Sequence, residues 1–129
     1  MRPRLVLVLC AYLAVWIPLN AAALASSSLP SLDVRGAVGA LELAIHVASA
    51  ALCFAAGWML WNRSAAGIWF AALALCVNAV AAIQAVHFSA LPRDVPPGLA
   101  WPLTVFTLVF TSAWLVYLRR SRRLRAWLE

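Results

Sequence analysis

Glu42 and His46 stand four residues apart inside an apolar run, so a helix puts a carboxylate and an imidazole on one face. That face continues through Ser49, Cys53 and the small pair Ala56 and Gly57, a polar-to-small stripe on an otherwise apolar helix. Ionisable groups inside a membrane span are costly to bury, so they turn toward a bundle interior or a water-filled cavity and mark a candidate site. Gln84 and His87, three residues apart, form a second polar face, and Asn20 adds a carboxamide on a third segment. Thr104, Thr107 and Thr111 share a face and offer hydroxyls either to the site or to their own helix backbone. Asn78 is rotated by roughly 120° from Gln84 and belongs to a different contact. The expected ligand-binding set is therefore Glu42, His46, Gln84, His87, Asn20, Thr104 and Thr107, with His87 at the pocket mouth.

Three chemistries suit these residue types. Two imidazoles on adjacent helices suggest bis-histidine haem ligation, although His46 and His87 differ in depth by about three residues at 1.5 Å each. Glu42, His46 and His87 have the right donors for a divalent metal, but no dense motif such as HExxH supports one. Glu42 and His46 have the groups of a base and an acid, yet no nucleophile elbow or Gly-rich phosphate loop accompanies them. No cofactor, metal or catalytic residue is assigned on this basis. The three cysteines, Cys10, Cys53 and Cys76, lie in apolar runs without CxxC spacing and read as buried small residues.

The elements that position these residues follow from composition. Of 129 residues, 66% are hydrophobic and 11% charged, which excludes an ordinary soluble domain. Four apolar runs, 5–25, 37–60, 65–88 and 99–118, each reach the roughly 20 residues that cross a bilayer core. The first contains Pro18, which frees the carbonyl of Ala14 and predicts a kink. With Arg2, Arg4 and Ala23-Leu24-Ala25 before Ser26, that run also fits a signal peptide; its length past the usual apolar core favours a retained helix. Residues 26–36 read as a polar loop, 61–64 as a tight turn that makes a helical hairpin, and 91–98, with three prolines, as a second long loop.

All ten basic residues are arginine, and the net charge is +6. Arg2, Arg4, Arg63, Arg119, Arg120, Arg122, Arg123 and Arg125 fall on one side, against Arg35 and Arg93 on the other, which places both termini in the cytoplasm. Trp58, Trp61 and Trp69 then sit at the inner interface and Trp101 at the outer. Counting from the inner ends puts Asn20, Glu42, His46, Gln84 and His87 in the outer third of the membrane. The tail sets Leu124, Trp127 and Leu128 against its arginines, as an interfacial helix on anionic headgroups would, with Arg119, Arg120, Arg122, Arg123 and Arg125 as the headgroup contacts. Five arginines beside a span favour lipid over nucleic acid as the partner.

The expectation is one integral membrane domain over 1–129: an all-α, four-transmembrane-helix antiparallel bundle in a bacterial inner membrane, with a short basic C-terminal interfacial helix. Its expected role is that of a non-enzymatic accessory subunit or small-ligand binder with an outer-leaflet polar pocket, in contact with other membrane subunits or with itself. Two alternatives stand beside it: a membrane redox component binding haem or quinone, and a proton-coupled small transporter acting as an oligomer with Glu42 titrating.

Overall fold

The computed structural model describes residues 3–88, 96 and 98–129, with residue 31 described by its backbone alone. Four helices are long and apolar enough to span a membrane: α1 (Arg4–Ser28), α2 (Leu32–Trp61), α3 (Gly67–Phe88) and α4 (Ala100–Arg120). A short helix, α5 (Arg122–Leu128), follows. No strand occurs among the described residues. This is the architecture of a multi-pass helical membrane protein, whose backbone polar groups are satisfied within each helix. Large apolar side chains such as Leu19, Val38, Phe54, Val80 and Phe106 face outward, where lipid is their natural neighbour.

Proline shapes α1. Pro18 has no N–H and its ring crowds the carbonyl one turn back. The helix widens just before it, into a π-helical turn at Tyr12–Trp16, in which the Ile17 N–H bonds to the Tyr12 carbonyl five residues earlier. Residues 26–36, expected as a loop, are instead mostly helical: α1 runs through Ser28, Leu29–Ser31 is a 3-10 turn, and α2 begins at Leu32. Serine accounts for the difference, because Ser26 and Ser27 donate to the carbonyls of Ala22 and Leu24 at 2.9 and 3.0 Å and so stay on the helix after the apolar run ends. The change of direction falls on Gly36, whose φ of 68° and ψ of −162° break α2 near its start and suit a residue without Cβ. Most of the expected 91–98 loop lies outside the described residues.

Consecutive long helices pack on one another, α1 against α2 most extensively and α2 against α3 next. Close approach of α1 to α2 requires Gly57: a Cβ there would stand 2.9 Å from Ala14 Cβ and 3.1 Å from Ala14 N. Between α2 and α3 the Cys53 thiol donates to the Ala74 carbonyl at 3.7 Å. The core gathers the largest buried side chains, Val6, Leu9, Leu13, Leu60, Leu75, Leu118 and Leu124. Cys10 and Cys53 belong to it, but Cys76 is exposed, against expectation; its position on α3 faces outward, where an apolar thiol incurs no desolvation cost.

The apolar side of the tail packs on protein: in α5, Leu124 is fully buried and Trp127 7% exposed in the same core as Val6, Leu60 and Leu118, while its arginines stay exposed. Ser121 makes the turn: its extended ψ of 105° ends α4, and its Oγ accepts from the Leu124 N–H at 3.1 Å to cap α5. Arg125 Nη2 donates to the Arg119 carbonyl at 2.6 Å, satisfying one of the orphan acceptors at the end of α4. The Arg63 guanidinium lies 5.5 Å from the Trp127 ring centroid, a cation–π contact that ties the α2–α3 turn to the tail.

Candidate functional site

Glu42 is 4% exposed, and its Oε1 lies 3.9 Å from His46 Nε2, so the expected shared face exists and is turned inward. His46 lines a cavity of about 140 Å³ whose other polar walls are Tyr12, Trp16 and Asn20 of α1 and Asn78 of α3. Tyr12 and Asn78 line it together, from α1 and α3. Asn20 Nδ2 donates to the Trp16 carbonyl at 2.7 Å, which binds it to its own helix and leaves its carboxamide oxygen at the cavity wall. Ile17, Ala21, Leu24 and Ala82 complete the lining. The volume exceeds the share of a few water molecules, at about 30 Å³ each, and the walls offer both donors and acceptors to a small polar guest.

Tyr12 and Asn78 are absent from the ligand-binding set expected from the sequence. Tyr12, Trp16 and Asn20 repeat every four residues, a stripe at helical spacing that marks Tyr12 as a wall residue. Asn78 was assigned to a different contact, and in the structure it takes the place expected of Gln84. Gln84 lies in a separate apolar groove with Ile45, Val77 and Val80, its Nε2 3.4 Å from the Phe88 carbonyl. The reason is packing: Ala74, Ala81 and Ala85 are buried on α3, and Gln84 falls beside them at the edge of the helix contact.

His87 does not join the cavity either. Its Nε2 is 2.7 Å from Thr104 Oγ1, and Thr104 donates its own hydrogen to the Ala100 carbonyl at 2.9 Å. A hydroxyl has one hydrogen, so His87 Nε2 must be protonated and act as the donor. The imidazole is thus a strut from α3 to α4, stacked at a tilt 5.0 Å from the Trp101 ring. Thr107 likewise donates to the Leu103 carbonyl at 2.8 Å along its own helix. The two histidines therefore stand in different surroundings, and no group of three potential metal-binding side chains occurs among the described residues. All five tail arginines are exposed; Arg119 and Arg125 border a groove with Trp69, and Arg123 a larger cavity with Arg4 and Arg63.

The site's inventory is a carboxylate, an imidazole, a phenol and two carboxamides drawn from α1, α2 and α3. The chain matches no protein family, no curated protein and no solved structure.

Proposed function

We propose that this is a small inner-membrane protein of bacterial type that binds a small polar molecule in the His46 cavity and acts without catalysis, as a ligand-binding or accessory subunit. Its four spans alternate in direction as an antiparallel bundle with both termini in the cytoplasm, where arginine is concentrated; Glu42, His46 and Asn20 then lie toward the outer leaflet. The observation that carries the reading is the convergence of Tyr12, Asn20, His46 and Asn78 on one cavity backed by buried Glu42. Inside a membrane such groups are retained at a cost that a bound polar guest offsets.

Native mass spectrometry of protein extracted from its own membrane tests it. A small adduct is expected that disappears when Asn78→Leu fills the cavity; its persistence in that variant would refute the assignment. Orientation is tested separately: a reporter fused after Glu129 is expected to be active in the cytoplasm, and Asp33→Cys to react with an impermeant thiol reagent from outside. Labelling of Asp33→Cys only after lysis would reverse the topology.

The second reading, a proton-coupled transporter, is favoured by one observation: the 3.9 Å approach of a buried carboxylate to an imidazole, an arrangement able to hold and pass a proton. In proteoliposomes under a potassium potential, potential-driven proton uptake that Glu42→Gln abolishes would support it. Equal uptake by both proteins would dismiss it. For the redox reading, the bis-histidine arrangement finds no support in the separate surroundings of His46 and His87.

A further inference from the structure

A larger cavity than that of His46 lies at the other end of the molecule. It measures about 810 Å³ and is formed where the start of α1, the α2–α3 turn and the tail meet. Three arginines from segments far apart in sequence, Arg4, Arg63 and Arg123, line it together with Ser121 and Trp127. Like charges repel, and three guanidiniums around one space are stable when something anionic occupies it. The other polar groups also favour donation. Ser121 Oγ already accepts from the Leu124 N–H and keeps its own hydrogen to give, and the buried Trp127 Nε1 has no acceptor among the described residues. Glu129 also lines the cavity, and its side-chain carboxylate offsets one arginine.

Depth selects the anion. Arg4 is the first residue of its span, Arg63 follows the span ending at Trp61, and Arg123 follows the span ending at Arg120. All three therefore stand at the level of lipid phosphates, and Leu5 and Tyr117 give the cavity an apolar wall beside them. We infer that this cavity is a phosphate-binding site that takes the headgroup of an anionic phospholipid, held by Arg4, Arg63 and Arg123. The site concentrates the basic tail's affinity for the membrane on one tail arginine and two from elsewhere in the chain. Guanidinium forks suit phosphate oxygens, and basic pockets between spans recognise anionic headgroups in this way. The inference stands apart from the His46 cavity and shares no residue with it.

The test is native mass spectrometry of the detergent-purified full chain, titrated with dioleoyl phosphatidylglycerol or dioleoyl phosphatidylcholine. Phosphatidylglycerol is expected to bind preferentially, and Arg4→Gln/Arg123→Gln to weaken it roughly twentyfold, about fivefold per arginine removed. Both side chains are exposed, so this variant keeps the core, and an unchanged melting temperature verifies that. Arg120→Gln/Arg122→Gln removes the same charge from outside the cavity and is expected to weaken binding less than about twofold if attraction is local. Equal losses in the two double variants, or equal binding of the two lipids, would overturn the site. Competition by inorganic phosphate or glycerol phosphate separates the two sources of the anion: displacement identifies a soluble phosphate compound as a ligand of the same arginines, and its absence a lipid.

Discussion

The two ends of this molecule solve the problem of polar groups near lipid in opposite ways. At the His46 end, polar side chains are paired with neighbours: His87 with Thr104, Asn20 and Thr107 with their own helices, Glu42 facing His46. The cavity between them is small, and much of the nearby packing on α3 is alanine, at 79, 81 and 85. At the arginine end the packing is heavier, through Val6, Leu9, Leu60, Leu118, Leu124 and Trp127, while the cavity is large and rich in donors. A tightly packed floor with an open basic cavity suits an anion at the water boundary. A lightly packed end with an inward polar pocket suits a neutral or proton-exchanging guest inside the membrane.

This contrast is most easily broken in the core. Leu60→Ala, at a fully buried position of the arginine end, is expected to cost about 3 kcal/mol, as for other buried leucines, and Leu43→Ala at the His46 end less than half of that. Denaturant unfolding in mixed micelles measures both; equal costs would erase the packing difference. Trp127→Ala comes next. It removes the α5 anchor and the partner of Arg63, so the tail is expected to undock and trypsin to cut within 119–125 much faster than in the parent protein. Unchanged cleavage kinetics would mean that α5 does not hold the floor together. The smallest effect belongs to the His87–Thr104 strut: a double-mutant cycle of His87→Phe and Thr104→Val is expected to give a coupling of about 0.6 kcal/mol, the average for such pairs in membrane bundles. A coupling near zero would place His87 elsewhere.

The lengths and number of the helices were legible because an apolar run must be about 20 residues long to cross a bilayer, and Glu42 with His46 was legible because helical spacing is fixed. The partners of that pair were harder to read. Which face of α3 meets α2 is decided by alanines at 74, 81 and 85, which carry no pattern distinct from the alanines around them. From spacing alone Gln84, on the face of His87, is expected in the pocket and Asn78 outside it. The packing of the tail is hidden for a related reason: Leu124 and Trp127 form an apolar stripe that fits a lipid surface as well as a protein floor, and the turn at Ser121 brings it against the protein. Serine likewise hid the helical character of 26–28, since its helix-sustaining hydrogen bonds are invisible in a hydropathy profile.

The central claim is that His46 faces a polar cavity whereas His87 is a structural strut between α3 and α4. Solid-state NMR of histidine-labelled protein in lipid bilayers addresses it directly. The account predicts that the His46 ring nitrogens exchange magnetisation with mobile water or a bound guest, and that their shifts change in Glu42→Gln. It predicts for His87 a proton on Nε2 and shifts insensitive to that substitution. A dry His46, or a His87 ring protonated on Nδ1 alone, would contradict it.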